Sequence, residues 1–388
     1  MAADSRGRAR ARVALLGEIA HRDATRSVGG TGIGLVRLAR GLDELGWEVD
    51  VVTATRERLA GYGERIPEAA GHVELGDGGR PSQVLRFIAF VLKRRPHVVV
   101  ARDSRAIDAA LAARRWSPRP FKLVCALHNQ ANVRPADTPS AERRRQARFD
   151  AIRARADALL AVSPGMLEAA RERLGPGYRS VHMIPNPAYR EALADAARGQ
   201  VVPRWVPGEP HLMFVGRLSE QKDPRTLLRA LAIVLQRYRR PARLTVLGEG
   251  PLAAALVDLA QSLGISDHVR FMGFVGNPMA YMADADLFVL SSVQDAFGYV
   301  LVEALGMGLP VVSTDCPYGP RYILDAGRYG RLVPVGDPEA MAAAIVRTLD
   351  APPGRETLIR RARDFDAQGI AARYAALFDG LLQGGPAR

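Results

Sequence analysis

Short apolar runs alternate with amphipathic stretches along the chain. In the first half, six runs have the length and continuous apolar character of buried strands, at 12–17, 48–53, 97–101, 121–127, 158–162 and 181–184. Stretches with helical periodicity lie between them, at 32–46, 81–95, 104–115, 140–156 and 164–174. Strands that are apolar on both faces and separated by helices indicate a parallel sheet covered by helices on both sides. The first half therefore predicts a doubly wound α/β domain.

The same alternation restarts after a segment rich in Pro and Gly at 199–210. Strand-like runs follow at 211–215, 243–247, 269–272, 287–290, 310–313 and 331–333, with helical stretches at 224–239, 251–263, 278–283, 299–307 and 338–349. We therefore expect two Rossmann-like domains, at 1–198 and 199–367, and a C-terminal helix at about 368–388 that docks on either of them. Ligands of open α/β sheets bind outside the carboxyl ends of the strands, so we expect the two domains to face each other across a binding cleft.

Composition places the chain among globular proteins and excludes several classes. It has 388 residues, of which 48% are apolar and 24% charged, so it is long enough to bury sizeable cores. Two cysteines, Cys125 and Cys316, are too few for a disulfide scaffold or a cysteine-based zinc site. No apolar run reaches the length needed to span a bilayer or to form a signal-peptide core. The expectation is a cytoplasmic protein.

A net charge of +13 raises the question of an anionic partner. The charge is spread along the chain, although six arginines crowd the predicted helix at 140–156. An anionic membrane surface, an anionic substrate and a merely solvated basic face all stay open. A nucleic-acid partner is not expected, because no RNA-binding motif is present and only 6% of the residues are aromatic.

The stretch QDAFGYVLVEALGMGLPVVS at 294–313 is the most informative for chemistry. Asp295 lies in a loop that follows a buried strand, and Glu303 comes eight positions later, in the first turns of a predicted helix. Both carboxylates can therefore point into one pocket beside a helix N-terminus. Such a terminus offers unpaired N–H groups that suit a phosphate.

A second informative stretch is FVGRLSEQKD at 214–223. Arg217 and Lys222 follow the end of a predicted strand and flank the start of a helix. A forked guanidinium, a point ammonium and a helix dipole together suit a diphosphate group. Two fixed cations at this place can stabilise negative charge that develops on such a group.

Together these two stretches resemble the retaining glycosyltransferases of the GT-B fold, in glycosyltransferase family 4 (glycosyl transferases group 1). That family has two acids separated by seven residues around a Gly-Phe-Gly turn, and a strand–loop motif V-G-R-L-x-x-x-K. The resemblance covers about 29–349 and has three departures. Asp295 stands where Glu is usual, Ala296 replaces a Gly, and Tyr322 stands where an acid is common.

The resemblance implies roles for individual residues. Arg217 and Lys222 would hold the diphosphate, Glu303 would bind ribose hydroxyls, and Asp295 and His128 would orient the sugar. His128, Asp295, Arg217 and Lys222 form the implied catalytic set. The other donor-binding positions come from a glycine-rich loop near the first helix, the G-x-G-P turn, the segment that receives the nucleobase, and the Gly-Phe-Gly turn: Gly30, Glu249, Phe274, Val275, Phe297, Gly298 and Tyr299.

The activity implied is transfer of a hexosyl or N-acetylhexosaminyl group, with retention, from a nucleotide sugar to a hydroxyl. UDP is favoured over GDP as carrier. A glycan, a lipid-linked saccharide or a small molecule all fit as acceptor, in polysaccharide or glycoconjugate biosynthesis. No metal and no cofactor is expected, and the basic charge leaves peripheral contact with an anionic membrane open.

Alternatives are a non-catalytic binding protein of the same fold, a basic surface module and a UDP-sugar epimerase. The glycines at 29–34 do not make a dinucleotide fingerprint, because Leu35 occupies the place of the third glycine.

Overall fold

The computed structural model describes residues 11–17, 30–54, 66–76, 79–128, 133, 138–178, 180–200, 202 and 205–384. The chain divides into two compact units. Unit 1 combines Met1–Pro187 with Ala367–Arg388, and unit 2 is Ala188–Asp366.

Unit 1 is built on a parallel sheet of seven strands in the order β3-β2-β1-β4-β5-β6-β7. The strands are β1 (Arg12–Leu16), β2 (Glu48–Thr53), β3 (Gly71–Glu74), β4 (Val98–Ala101), β5 (Lys122–Leu127), β6 (Ala158–Ala161) and β7 (Val181–Met183). Six of them were predicted within one or two residues. The edge strand β3 was missed because Val73 is the one apolar side chain among its four residues and none of the four is fully buried, so they show no apolar run.

Helices cover this sheet in the doubly wound arrangement that was predicted. They are α1 (Gly30–Glu44), α2 (Arg80–Arg94), α3 (Ser104–Trp116), α4 (Pro139–Arg155), α5 (Pro164–Leu174) and α14 (Ala367–Leu382). Local capping fixes several of the starts. The Asp103 carboxylate, for example, accepts hydrogen bonds of 2.9 Å from the backbone N–H groups of Arg105 and Ala106 at the start of α3.

The C-terminal helix α14 belongs to unit 1 because it packs on α1. A Cβ on Gly41 would lie 2.5 Å from the Cβ of Ala371, so the absence of a side chain allows the helices to approach closely. Trp47 meets the Phe378 ring edge-on at 5.3 Å between centroids. This apolar contact joins the last residues of the chain to the core of the first half.

Unit 2 is built on a second parallel sheet, of six strands in the order β10-β9-β8-β11-β12-β13. The strands are β8 (His211–Val215), β9 (Arg243–Leu247), β10 (Val269–Gly273), β11 (Leu287–Leu290), β12 (Val311–Thr314) and β13 (Arg331–Val333). Each lies within one residue of its predicted position. The interior residues of β8 and β11 are fully buried, as a strand covered on both faces requires.

The helices of unit 2 are α6 (Glu191–Arg198), α7 (Pro224–Gln236), α8 (Ala253–Ser262), α9 (Pro278–Met282), α10 (Tyr299–Gly306), α11 (Gly319–Ile323), α12 (Pro338–Asp350) and α13 (Arg355–Arg363). Helix α6 moves the boundary between the units to Pro187, earlier than the predicted 198. It belongs to unit 2 because it packs on α9 and α10, where Arg198 donates a 3.0 Å hydrogen bond to the Gly306 carbonyl.

The structure also bears on the two cysteines and on membrane-spanning segments. Cys125 and Cys316 are both free and buried. Among the helices of the described ranges, none combines the length and the apolar character that crossing a bilayer requires.

Candidate active site

The candidate residues of unit 2 lie where the strand order of its sheet reverses. Strands β8 and β11 are neighbours, although β9 and β10 extend the sheet from β8 in one direction and β12 and β13 extend it from β11 in the other. Such a reversal leaves a crevice at the carboxyl ends of the two central strands. Arg217 and Lys222 follow β8, and Asp295 follows β11, so all three leave the sheet at this crevice.

Hydrogen bonds connect the loop after β8 to the loop after β11. The Ser291 hydroxyl donates to the Lys222 carbonyl at 2.9 Å. The Val293 N–H donates to the Gln221 carbonyl at 2.9 Å, and the Gln221 side-chain amide donates to the Gln294 carbonyl at 3.2 Å. Backbone groups on both sides take part, so the two loops hold each other in a fixed register.

This arrangement brings Lys222 and Asp295 together. The Lys222 Nζ donates to Asp295 Oδ2 at 2.5 Å, and the two side chains are 19% and 13% exposed. The Phe297 N–H approaches the other oxygen, Oδ1, at 3.4 Å. The backbone of Asp295 is also fixed, because its carbonyl accepts a 2.9 Å hydrogen bond from the Gly319 N–H. Arg217 is exposed on the same loop as Lys222.

The G-x-G-P turn packs directly against the loop that carries Arg217. A Cβ on Gly248 would lie 2.0 Å from the Gly216 carbonyl oxygen, and a Cβ on Gly250 would lie 2.3 Å from the Leu218 carbonyl oxygen. Gly248 also has φ +136°, a conformation that L side chains rarely adopt. Both glycines are therefore needed for the close approach of the two loops.

Glu249 and Phe274, predicted separately as donor-binding positions, are neighbours. The Phe274 N–H lies 3.4 Å from Glu249 Oε1, and Phe274 is 38% exposed. Val275 follows Phe274 just after β10 and is half-buried. The exposed Glu249 side chain therefore approaches the backbone N–H of the segment implied to receive the nucleobase.

The Ala-Phe-Gly turn at 296–298, which corresponds to the Gly-Phe-Gly turn of the resemblance, gives its residues different environments. Gly298 has φ +95° and comes directly before α10, whose first residue is Tyr299. Glu303 lies on the second turn of α10 and is 2% exposed. Phe297 is a core residue, because its ring packs edge-on against Phe365 at 5.6 Å. The backbone N–H of Phe297 therefore points to the Asp295 carboxylate, whereas its side chain packs in the core beneath the turn.

Two other side chains near this loop have structural roles. The Tyr322 ring, which stands where the family has an acid, packs edge-on against Phe365 at 5.7 Å, and the Arg361 guanidinium lies over it at 5.7 Å. Burial raises the pKa of the Cys316 thiol to about 12, and the charge of Asp295 adds to the rise. Cys316 is therefore a protonated, unreactive thiol at neutral pH.

The candidates of unit 1 lie at the carboxyl edge of its own sheet. Gly30 is the first residue of α1, and His128 follows β5 directly and is 6% exposed. The neighbouring strand β4 is followed by Arg102, whose Nε donates to His128 Nε2 at 3.0 Å. Arg102 Nη1 also donates to the Thr31 carbonyl at 3.3 Å, so it joins the region of Gly30 to His128. Their neighbours in the chain, Gly29 and Asn129, lie outside the described residues.

The electrostatic environment keeps His128 neutral. Its pKa lies well below the ordinary value, first because the ring is buried and second because of the Arg102 charge. Contact with Asn186 acts in the opposite direction and is outweighed. His128 is therefore an uncharged imidazole at neutral pH.

Sequence reasoning missed Arg102. The residue stands alone after an apolar strand in a chain rich in arginine, so its spacing to His128 carries no signal. Only the pairing of β4 with β5, in which Ala101 is opposite Cys125, brings the ends of these strands together.

Comparison with known proteins identifies the family. Residues 209–351 match the model of the glycosyl transferases group 1, and residues 28–191 match the model of glycosyltransferase family 4. The chain is 30% identical over 380 residues to the D-inositol 3-phosphate glycosyltransferase of Nocardiopsis dassonvillei, and the match covers 88% of this chain and 86% of that protein. The chain belongs to the glycosyltransferases of group 1, family 4.

A second relative is matched over a shorter region. The lipopolysaccharide core biosynthesis glycosyltransferase LpsE of Rhizobium meliloti is 35% identical over 176 residues, which are 43% of this chain and 49% of that protein. The match thus spans about half the length of this relative.

Solved structures support the fold. Anabaena HepE, solved in complex with UDP and glucose, superposes with a TM-score of 0.73 over 95% of this chain and 100% of that chain, at 18% identity. The prediction of two GT-B-type Rossmann-like domains is confirmed.

Proposed function

We propose that this protein is a retaining glycosyltransferase that uses a nucleotide sugar, with UDP favoured over GDP as the carrier. The observation that carries the proposal is the placement of Arg217, Lys222 and Asp295 at the strand-order reversal of unit 2. A diphosphate at this crevice would meet two cations and the N-terminus of α10. The UDP bound to HepE, which has the same fold, supports uracil as the base.

The donor contacts we propose follow the family resemblance, and the positions of the described residues support them. Arg217 and Lys222 hold the diphosphate, together with the N–H groups of Gly298 and Tyr299 at the start of α10. The backbone of Phe274 and Val275 receives the base, with Glu249 fixing that segment. Glu303 binds the ribose hydroxyls.

The same cations support our proposal that the reaction needs no metal. As the glycosidic bond breaks, negative charge develops on the leaving diphosphate. Arg217 and Lys222 stand at fixed positions to stabilise that charge, which is the contribution a divalent ion makes in other transferases. Asp295 and His128 orient the sugar, and the acceptor hydroxyl attacks the face from which the diphosphate leaves. We expect no cofactor beyond the donor itself.

A thermal-shift experiment tests the donor site. UDP is expected to raise the melting temperature in the presence of EDTA, because a ligand that binds only the native state stabilises it. Arg217→Ala is expected to remove the shift. Arg225→Ala is the control and is expected to keep the shift, because it deletes a guanidinium of α7 that pairs with Glu220 in the preceding loop. Failure of UDP, GDP and ADP to shift the wild-type protein would overturn the proposal.

Product analysis tests the reaction. Incubation with a UDP-hexose and an acceptor is expected to release UDP and to leave the anomeric configuration of the sugar unchanged, with EDTA present. Incubation without acceptor separates the epimerase alternative, which would convert the donor to its epimer.

The acceptor is proposed to be a lipid-linked saccharide, at the cytoplasmic face of a membrane. The arginines of α4 are the structural feature behind this proposal. Arg143 and Arg144 are exposed. Arg148, in contrast, forms an ion pair of 2.7 Å with Asp108, so its charge is already compensated within the protein. The relative LpsE, named for lipopolysaccharide core biosynthesis, supports a glycoconjugate product. Co-sedimentation with vesicles that contain anionic lipid, weakened by replacing Arg143 and Arg144 with Gln, tests the contact.

A further inference from the structure

Arg102 occupies the strand-order reversal of unit 1. Strands β1 and β4 are neighbours at this point, and the Arg102 N–H donates to the Leu16 carbonyl at the end of β1 at 2.9 Å. The residue is only 5% exposed. A charged side chain this deeply buried is costly unless it is held by hydrogen bonds. Its position at the ligand-binding edge of a parallel sheet therefore calls for a role.

The hydrogen bond from Arg102 determines where His128 carries its proton. A guanidinium has only donors and stays protonated in proteins, so the ring atom that receives its N–H must be unprotonated. Arg102 Nε donates to His128 Nε2 at 3.0 Å. In the neutral ring the single proton must then sit on the other nitrogen, Nδ1.

We propose that Arg102 is a positioning residue that fixes the His128 proton on Nδ1 and thereby makes the imidazole a neutral hydrogen-bond donor to a hydroxyl of the transferred sugar. The sugar contact rests on the proposed transferase function, whereas the position of the proton does not. The ring is excluded as a general acid, since it stays uncharged, and as a base through Nε2, since that lone pair is occupied.

The surroundings of His128 leave Nδ1 open to a ligand in exchange for a weak contact with Asn186. The ring is 6% exposed, and its Nδ1 has no hydrogen-bond partner of normal geometry among the described residues, although Asn186 acts on the ring as a side-chain hydrogen-bond partner. The groups that influence its charge are Arg102, on the side of β4, and Asn186, after β7. Tyr374 of α14 lies near enough for the Arg102 charge to act on its pKa, but burial dominates and raises it, so Tyr374 stays uncharged too.

Nitrogen NMR of protein labelled with ¹⁵N-histidine tests the proton position without any substrate. His128→Gln assigns the signals. The wild-type ring is expected to show a protonated Nδ1 and an unprotonated Nε2 at neutral pH and to stay uncharged below the ordinary histidine pKa of about 6.5. Arg102→Met is expected to raise the pKa of the ring, although burial still keeps it below the ordinary value, and to let the neutral ring carry its proton on either nitrogen. Arg102→Lys, which restores a donor and a charge, is expected to reverse both changes. A wild-type ring with the proton on Nε2, or one charged at pH 6, would overturn the proposal.

Transfer kinetics test the consequence for the reaction. Arg102→Met is expected to lose about fivefold in activity at pH 8, where the neutral ring can now carry its proton on Nε2, and to lose less toward pH 6, where a charged ring again has an N–H at Nδ1. Arg105→Met removes an arginine from the first turn of α3 and is expected to follow the wild-type profile. An equal loss at every pH in Arg102→Met would reduce Arg102 to a structural residue. An inactive wild type with the expected NMR signals would contradict the transferase assignment and leave the proton position established.

Discussion

Lys222 and Asp295 form an ion pair of 2.5 Å at the crevice of unit 2, between two loops that backbone hydrogen bonds hold in register. The implied diphosphate-binding cation is thus already paired with the implied sugar-binding carboxylate. Asp295 lowers the net positive charge that an incoming diphosphate meets. It therefore competes with the diphosphate for Lys222. Its effect on diphosphate binding and its effect on sugar transfer can be measured separately.

Asp295→Asn is expected to bind UDP about tenfold more tightly, because a nearby negative charge is removed from an anion site. The same variant is expected to transfer sugar more slowly, since its amide no longer orients the sugar hydroxyls as an acceptor pair. Calorimetry with UDP and initial rates with a UDP-hexose measure the two effects. Asp315→Asn, which deletes a carboxylate paired with Arg321, provides the matched change in net charge. Weaker UDP binding by Asp295→Asn would mean that the pair preorganises the site.

Lys222→Ala is expected to lower the turnover number by about 100-fold or more, which is the usual cost of removing a preorganised group that stabilises developing charge. The free energy of unfolding should fall by about 1–3 kcal/mol, because both side chains are mostly buried and Asp295 loses its cation. Rate measurements and urea denaturation of unit 2 give both values. Arg225→Ala is the control. A Lys222→Ala enzyme with wild-type turnover would remove Lys222 from the mechanism.

Gly248→Ala is expected to destabilise unit 2 by about 2–3 kcal/mol, because strain at positive φ adds to a severe contact. The added Cβ would lie 2.0 Å from the Gly216 carbonyl oxygen, and φ is +136°. Two glycines separate these causes. Gly264 has φ +67° with open space around it, so its alanine variant should show the backbone strain alone. Gly276 has open space without a positive φ, so its alanine variant should show almost no loss of stability. Equal stability of all three variants in urea would contradict this account.

His128 is expected to make unit 1 less stable in acid. Its pKa in the folded protein is lower than in the unfolded chain, so below about pH 6.5 the unfolded state binds more protons. The free energy of unfolding therefore decreases as the pH decreases. The contribution is fully present above the unfolded pKa and is lost as the pH falls toward the folded pKa. His128→Gln should reduce the slope of unfolding free energy against pH, by up to about 1.4 kcal/mol per pH unit. Identical slopes for wild type and variant between pH 6.5 and 5 would show that the ring is not held neutral.

Much of the fold could be predicted from the sequence because it depends on local pattern. Continuous apolar runs such as those of β8 and β11 specify strands buried on both faces, and the helical periodicity between them requires parallel connections. The polar edge strand β3 could not be found in this way. Helix α6 follows the strands of unit 1 along the chain, and only its packing on α9 and α10 assigns it to unit 2.

The residues of the candidate site could be selected from the sequence, but the contacts between them could not. Arg217, Lys222, Asp295 and Glu303 could be selected from the sequence, because each belongs to a motif whose residues are close together along the chain. The contact of Lys222 with Asp295 joins residues 73 positions apart, and that of Arg102 with His128 joins residues 26 apart. The sequence by itself determined which elements form and which chemical groups stand at their ends. Only the tertiary structure decided which groups meet, because strand order in a parallel sheet is set by crossover connections and packing between distant segments, and that order places the ends of β4 and β5, or of β8 and β11, side by side.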